Sequence, residues 1–289
     1  MVKRVGMLMN LPENDPEVAE RKLAFQEGFT RKDVVFYVRH GGGNFPYDEA
    51  AKQLVKLNPD VFFATCGPSF WALQAKTKKS IVYAAMIDPN QTARAKTTGI
   101  NATGISSYNY GLSHEWVDLL KEMDKRIARV AVIVDLGSKA GRGQWVEIDH
   151  YARGLGLETS WINIADFESL PEATDEIARK GNGGLIVPTG TKSATHRTQI
   201  IELANKNKLP AIYANRMYAK SGGLFSRGAN TLEIYRSAAG LVDKILNGEN
   251  AGDPTANKTF QTVINLSAAR AIGLTVPQSL LNKADEIIP

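Results

Sequence analysis

The sequence predicts an α/β fold with two Rossmann-like parallel-sheet lobes joined by a three-segment hinge. Apolar runs alternate with helical patterns along most of the 289 residues, which is typical of parallel α/β units. These units fall into two series, and three short segments connect the series. A ligand cleft is expected between the lobes, because ligands of parallel sheets bind beyond the carboxyl ends of the strands.

The first series contains four predicted strands with three helices between them. Each helix has a proline in or next to its first turn, at Pro16, Pro46 and Pro68, where the missing amide hydrogen is tolerated. The strands are short apolar runs, predicted at residues 5–9, 34–38, 61–65 and 81–85.

The second series repeats this pattern. Runs rich in Val and Ile are again separated by stretches with helical periodicity, which favours a second parallel sheet. The strands are predicted near residues 130–134, 159–164, 185–187 and 212–214, and the helices at residues 141–155, 170–179 and 195–205.

Three segments are predicted to cross between the lobes: the β-branched stretch 98–107, the stretch 221–228 and the strand 260–266. A helix over residues 231–246 lies between the second and third crossings. The N-terminal lobe is therefore assigned to residues 1–106 and 227–259, and the C-terminal lobe to residues 107–226 and 260–289.

The tail after residue 263 predicts the end of a strand and then two helices. Ser267 is predicted to cap a short helix that Gly273 ends. Pro277 suits the first turn of a second helix, whose apolar stripe extends to residues 287–288.

The composition favours an ordinary globular protein. Hydrophobic residues make up 43% and charged residues 22% of the chain, enough apolar surface to form cores. The net charge is +5, but Lys and Arg are scattered among acidic residues, which favours a solvated surface over nucleic-acid binding. No apolar run is long enough to cross a bilayer, and the lone Cys66 allows no internal disulfide.

The sequence lacks the motifs of common enzyme classes. The glycine runs at residues 40–44 and 141–143 do not match the dinucleotide-binding fingerprint, and there is no Gly-x-Ser-x-Gly elbow or phosphate-binding P-loop. The four histidines show no metal-ligand spacing. No catalytic activity, cofactor or metal site is therefore predicted.

The tail and several short motifs resemble one protein family. Residues 264–288 contain Ile-Asn-Leu, an Ala-rich helix, Ile-Gly-Leu-Thr-Val-Pro and Leu-Leu-x-x-Ala-Asp-Glu. Further matches in the same order are Asp60-Val61, Gly67-Pro68, Asp88-Pro89, the stretch 100–104 and Gly222-Gly-Leu224. The chain resembles the substrate-binding components of bacterial ABC importers, in the family that includes tryptophan- and tyrosine-binding proteins and has the type I periplasmic-binding fold.

The resemblance implies a protein that captures a small organic ligand, an amino acid or an aromatic carboxylate, by lobe closure. The implied partners are the permease and ATPase subunits of an importer, with no nucleic acid, and a monomer is expected. Members of the family are exported or lipid-anchored at an N-terminal Cys, which implies a periplasmic or extracytoplasmic location. This chain shows neither leader nor anchor Cys, so Met1 is interpreted as an artificial start.

An alternative is the ligand-sensing effector domain of a transcription regulator, since sugar-responsive repressors share this clamshell. Such proteins carry an N-terminal helix-turn-helix. In this chain the first strand already begins by Arg4, which favours the importer component.

In the N-terminal lobe, the candidate ligand contacts follow the predicted strands. Asn10 offers an amide that donates and accepts, although it also suits a turn before Pro12. Helix-start amides beside Ser69 suit a ligand carboxylate, with Ser69 as a simple cap the alternative. Asp88 is expected to pair with a ligand ammonium, as the resemblance implies, or only to shape a turn. The predicted set of this lobe is Asn10, Gly67, Ser69, Phe70, Asp88 and Ser106, and Tyr108 lies just beyond the first crossing.

In the C-terminal lobe, Thr189 offers a hydroxyl beside a glycine, or caps the next helix. Arg227 stands where the family pattern commonly has Tyr. In the cleft its guanidinium would bind a carboxylate, whereas elsewhere it is a solvated surface residue. The predicted set of this lobe is Asp135, Thr189, Gly190 and Asn215, and the second crossing adds Arg227 at the start of the next N-terminal-lobe segment.

Overall fold

The computed structural model describes residues 2–42, 45–86, 93–95, 102–107, 110–250 and 252–289. The chain divides into two compact units. Unit 1 consists of Met1–Tyr108 and Thr231–Thr259, and unit 2 of Asn109–Asn230 and Phe260–Pro289. Each unit contains its own largely parallel sheet, so the predicted α/β fold with two parallel-sheet lobes is confirmed.

The strands of the two predicted series all coincide with observed strands, to within two residues at either end. In chain order the strands of the described residues are β1 (Lys3–Met9), β2 (Val34–His40), β3 (Val61–Ala64), β4 (Ile81–Met86), β5 (Ala102–Ser106), β6 (Arg129–Val134), β7 (Glu158–Asn163), β8 (Gly183–Val187), β9 (Ala211–Tyr213), β10 (Phe225–Ala229), β11 (Thr255–Ala256), β12 (Phe260–Asn265) and β13 (Glu286–Ile288).

Several helices begin at residues whose side chains cap them, among them Asp15, Ser138, Asn215 and Asn265. The Asp15 carboxylate accepts a hydrogen bond from the Glu17 amide at the start of the first helix, for example. The α-helices of four or more residues in the described part of the chain are α1 (Pro16–Glu27), α2 (Tyr47–Lys56), α3 (Gly67–Gln74), α4 (Tyr110–Met123), α5 (Lys139–Gly154), α6 (Leu170–Lys180), α7 (Thr191–Thr195), α8 (Arg197–Lys206), α9 (Arg216–Lys220), α10 (Thr231–Leu246), α11 (Leu266–Ile272) and α12 (Gln278–Leu281).

The sheet of unit 1 has six strands in the order β11-β5-β4-β3-β1-β2. Its described pairings are all parallel. All four residues of β3 are buried, as expected for a parallel strand covered on both faces. On one face the Phe63 ring stacks on Phe25 of α1 at 4.2 Å and meets Tyr235 of α10 edge-on at 5.3 Å. This packing holds α1 and α10 against the strands whose carboxyl ends carry the candidate residues.

The sheet of unit 2 has seven strands in the order β13-β12-β10-β9-β8-β6-β7. Its described pairings are parallel except for β10 with β12, which is antiparallel. Its core includes Trp116 and Val117 of α4, Val132 of β6 and Ile264 of β12. The carboxyl ends of β6, β8 and β9 share one edge of this sheet.

The predicted lobe boundary at residue 227 falls inside β10. Arg227 pairs with Thr262 of β12, and the strand continues to Ala229. Residues 227–230 consequently lie in unit 2, and the crossing into unit 1 comes before Thr231. The chain passes from one unit to the other three times, but the predicted crossing segments 221–228 and 260–266 both lie inside unit 2.

The tail departs from the prediction in two respects. The cap of α11 is Asn265, whose side chain accepts from the Ala268 amide at 2.9 Å, whereas the Ser267 hydroxyl donates to the Pro289 carbonyl. The second helix is only the short α12, and residues 286–288 form β13, which extends the sheet beside β12. Ile287 and Ile288 were wrongly assigned to the helical stripe from the sequence, whereas residues 286–288 alternate between partly buried and exposed, as in a strand.

Candidate ligand-binding site

Unit 1 brings several candidate residues to one edge of its sheet. Because β1, β3, β4 and β5 are parallel, the residues after them share that edge. Asn10 follows β1, Gly67 begins α3 directly beyond β3, and Ser106 ends β5. Asp88 and Tyr108 lie outside the described residues, so their roles stay predictions.

Asn10 is half-buried, and the residues behind it hold its side-chain oxygen. Asn10 Oδ1 lies 3.4 Å from Arg21 Nη1 and 3.1 Å from Thr65 Oγ1. The Thr65 hydroxyl is also 3.1 Å from the Leu8 carbonyl oxygen, and Thr65 itself is 2% exposed. The Asn10 side chain is therefore part of a network, and not a freely rotating turn residue.

Arg21 and Glu17 form a buried ion pair behind Asn10. Their side chains are 6% and 5% exposed, and Arg21 Nε lies 3.3 Å from Glu17 Oε1. The guanidinium lies 5.7 Å from the centre of the Tyr235 ring. Burial works to lower the pKa of Arg21, but Tyr235 and Glu17 outweigh it, and the pKa is raised. Arg21 therefore keeps its charge and acts only as a donor.

The start of α3 is organised by its own side chains. Ser69 Oγ accepts from the Cys66 amide at 3.0 Å and donates to the Cys66 carbonyl at 2.8 Å. Ser69 is fully buried, so its hydroxyl has the capping role that was its structural alternative. Burial raises the pKa of the Cys66 thiol, which keeps it protonated. Phe70 is also fully buried and meets Tyr83 edge-on at 5.4 Å as part of the core.

In unit 2, Asp135 follows β6 and is bound on both sides. Its Oδ1 accepts from the Gly137 amide at 3.0 Å, and its Oδ2 lies 3.2 Å from Lys192 Nζ. Gly141 of α5 approaches so closely that a β-carbon there would lie 2.1 Å from the Asp135 carbonyl oxygen. A glycine is required at this position, which fixes the turn that presents Asp135.

Thr189 is held through its backbone by a buried glutamine. Gln144 Nε2 donates to the Thr189 carbonyl at 3.0 Å, and Gln144 Oε1 accepts from the Thr189 amide at 3.1 Å. Gln144 is 3% exposed, whereas Thr189 is half-buried. Gly190 then caps the short α7 in an extended conformation. These two hydrogen bonds use only the backbone of Thr189 and do not involve its hydroxyl.

Asn215 follows β9 and caps α9, because its Oδ1 accepts from the Met217 amide at 3.0 Å. The aromatic residues near Asn215 are core residues of unit 2. Tyr213, Tyr218 and Phe225 are at most 2% exposed, and the two tyrosine rings stack on each other at 4.8 Å.

Arg227 lies in β10 with its charge already paired. Its Nε is 2.9 Å from Glu115 Oε2, its Nη1 is 3.4 Å from Thr262 Oγ1, and its guanidinium lies 5.5 Å from the centre of the Phe260 ring. The Arg227 side chain is 24% exposed and that of Glu115 is 46% exposed. A ligand carboxylate at Arg227 would therefore compete with, or join, Glu115.

Several residues of these arrangements were missed by the sequence analysis, among them Arg21, Glu115 and Gln144. The spacing of Glu17 and Arg21 by four residues on a helix was a visible signal of a pair. Gln144 and Thr189 are 45 positions apart, and Glu115 and Arg227 are 112 apart. Only the folded sheet brings those partners together.

No helix among the described residues is long and apolar enough to span a membrane. No group of three or more His, Cys, Asp or Glu in the same residues is arranged to hold a metal ion.

Known proteins resemble this chain in sequence and in fold. The tyrosine-binding protein of Clostridioides difficile is 24% identical over 231 residues, covering 78% of this chain. This chain spans 66% of the length of that relative. Two crystal structures each give a TM-score of 0.85. One is a conserved domain protein from Vibrio cholerae, with 24% identity and coverage of 99% of this chain and all of that one.

The other is an ABC domain in complex with L-Trp from Streptococcus pneumonia, with 20% identity over the full length of both chains. The ligand-free, open structure of a substrate-binding protein with adhesive properties from Clostridium difficile has a TM-score of 0.71, 21% identity and 99% coverage of both chains. At these identities the structures establish a shared fold. The family model described as ABC transporter substrate binding protein matches residues 46–288. Since that match covers most of the chain, the protein belongs to the ABC transporter substrate-binding protein family.

Proposed function

We propose that this protein is the solute-binding component of a bacterial ABC importer and captures an amino acid or an aromatic carboxylate. Its membership in the substrate-binding family carries the proposal. The tyrosine-binding relative and the L-Trp complex of a protein with the same fold support this ligand class. The captured ligand is delivered to the permease and ATPase subunits of the importer.

The strand ends of both units supply the polar groups that such a ligand needs. Asn10 and the start of α3 offer donors in unit 1, and Thr189 offers a hydroxyl in unit 2. Arg227 provides a cation for a carboxylate, and Asp88 an anion for an ammonium group. An amino acid carries both of these charged groups, which favours it over a neutral sugar.

Binding is coupled to closure of the two units around three chain crossings. A ligand favours the closed state only by its greater affinity for that state. Contacts from both units provide this difference in affinity, because the ligand contacts both units in the closed state and only one unit in the open state. The closed protein is then the form that the permease recognises. The protein acts outside the cytoplasm, as a monomer.

A thermal-shift screen combined with small-angle X-ray scattering tests the function. The probes are L-tryptophan, L-tyrosine and indole-3-propionate, with a sugar and a nucleotide for comparison. A ligand at 100 times its Kd stabilises the folded state by about 2.7 kcal/mol, so a binding probe raises the Tm. The same probe is expected to reduce the radius of gyration.

Two outcomes contradict the proposal. A Tm increase with the nucleotide alone overturns the ligand class. A probe that raises the Tm without any compaction overturns the closure mechanism.

A further inference from the structure

The Asn10 amide has one orientation that its surroundings permit. A guanidinium only donates hydrogen bonds, so the Asn10 atom 3.4 Å from Arg21 Nη1 has to be the carbonyl oxygen. The reverse orientation would place two N–H donors against the guanidinium. The Thr65 hydroxyl, 3.1 Å from the same oxygen, is compatible with the first orientation.

Arg21 is unable to release this constraint by moving into solvent. Its side chain is 6% exposed, and the buried Glu17 carboxylate holds the guanidinium at 3.3 Å. The Tyr235 ring lies on another side, 5.7 Å from ring centre to guanidinium carbon. An arginine enclosed in this way acts as a rigid part of the site, unlike an arginine on the protein surface.

The fixed oxygen determines what Asn10 presents. The amino nitrogen lies on the other side of the same amide carbon, and it makes no hydrogen bond with any residue that the structure describes. Asn10 is half-buried at the carboxyl end of β1, where parallel sheets bind ligands. It therefore offers two donors there and no acceptor.

We propose that Arg21 is a positioning residue that fixes the Asn10 amide, and that the ligand atom bound by Asn10 is an acceptor, a carboxylate or carbonyl oxygen. The inference rests on the proposed solute-binding function and adds to it the ligand group that unit 1 recognises. Asn10 is unable to bind a ligand ammonium group, because both the ammonium group and the Asn10 amino group only donate hydrogen bonds. The ammonium group binds at a different residue of the site.

Replacement of Asn10 by aspartate provides the first test. Asn10→Asp keeps an oxygen for Arg21 and replaces the amino group by a second, negatively charged oxygen. The probes are L-tryptophan, indole-3-propionate, which lacks the amino group, and tryptamine, which lacks the carboxylate. Calorimetry is expected to show at least about tenfold weaker binding of the two acids, and no such loss for tryptamine.

Asn247→Asp is the matched control. Asn247 Oδ1 also accepts from an arginine, Arg31 Nη1, at 3.4 Å in the same unit, but this hydrogen bond is exposed, and Asn247 follows α10. The control is expected to bind all probes as the wild type does. Equal losses for the acids and tryptamine in Asn10→Asp, or tighter binding of the acids, would overturn the proposal.

A test of the positioning role of Arg21 requires a measurement that does not change when the protein merely becomes less stable. That measurement is the ratio of the affinities for indole-3-propionate and tryptamine. The glutamine side chain of Arg21→Gln both donates and accepts hydrogen bonds, so the Asn10 amide becomes free to rotate. The ratio of the two affinities is therefore expected to fall several-fold. Arg21→Lys keeps a pure donor and is expected to restore much of it.

An unchanged ratio in Arg21→Gln, together with a lower Tm, would show a purely structural arginine and overturn the proposal. If Arg21→Gln does not fold, Arg21→Lys and Asn10→Asp still decide the question. Failure of the proposed function looks different, because then the wild type binds none of the three probes.

Discussion

Each unit places an arginine–glutamate pair among its candidate site residues, and the two pairs differ in an instructive way. In unit 1, Arg21 and Glu17 are 3.3 Å apart with side chains 6% and 5% exposed. In unit 2, Arg227 and Glu115 are closer, at 2.9 Å, but 24% and 46% exposed. The shorter distance does not indicate the greater effect on stability, because water screens the exposed pair.

The difference separates two ways of preparing a binding site. The pair in unit 1 is enclosed by Asn10, Thr65 and Tyr235, so its removal disturbs a network. The pair in unit 2 is partly solvated, and its partners are able to exchange for water or for a ligand. We expect unit 1 to supply fixed geometry and unit 2 to supply charge that responds to the ligand.

The largest predicted effect is that of Glu17→Ala. It leaves the Arg21 charge buried without its carboxylate, which typically costs about 3–5 kcal/mol of folding free energy. Urea unfolding followed by circular dichroism measures the loss. Glu27→Ala is the control on the same helix, because Glu27 pairs with Arg236 at 2.9 Å but is 46% exposed. The control is expected to lose less than about 1 kcal/mol. Equal losses in both variants would contradict the contrast between buried and exposed pairs.

The second prediction concerns the two hydrogen bonds between the Gln144 side chain and the Thr189 backbone. Gln144→Ala removes both hydrogen bonds to the Thr189 backbone and leaves a cavity around a side chain that is 3% exposed. An unsatisfied buried polar group costs about 1–3 kcal/mol, so a loss in that range is expected in urea unfolding.

Gln278→Ala is the control for Gln144→Ala. The Gln278 side chain donates to the exposed Asn282 side chain at 2.9 Å, so a change within about 0.5 kcal/mol is expected. If Gln144→Ala loses as little folding free energy as the control, the loop after β8 keeps its shape without these two hydrogen bonds.

The fold was predictable wherever the local pattern and the tertiary structure agree. The apolar run of β3 is buried on both faces, and the proline before α2 marks its start, so both elements were found from the sequence. The last strand was not found, because β13 has three residues and is defined by its pairing with β12. The cap of α11 was assigned two residues late, since Asn265 and Ser267 are both good capping residues and only the hydrogen bonds distinguish them.

For the candidate site, the sequence predicted which positions lie at strand ends, but not the contacts that hold their side chains. The rule that ligands bind at the carboxyl ends of strands selected Asn10 and Thr189 as candidates, and both follow a strand in the structure. It gave no information on what lies behind them, because Arg21 and Gln144 depend on long-range packing. The sequence also offered no means to separate Phe70, which is fully buried, from residues able to reach a ligand.

The smallest predicted effect on stability, and the most informative about the ligand, is that of Arg227→Gln. It breaks a partly exposed pair, so the folding free energy is expected to change by less than about 1 kcal/mol. If Arg227 binds the ligand carboxylate, the variant loses a charge-assisted hydrogen bond. Calorimetry with indole-3-propionate is then expected to show at least about tenfold weaker binding.

Arg129→Gln is the matched control, since Arg129 pairs with Glu158 at 2.7 Å and begins β6, at the amino end of a strand in the same sheet. Its affinity for indole-3-propionate should equal that of the wild type. An unchanged affinity in Arg227→Gln would make Arg227 a surface residue and leave carboxylate recognition to Asn10. Weaker binding in Arg227→Gln with unchanged stability would establish that charge in unit 2 serves the ligand and not the fold.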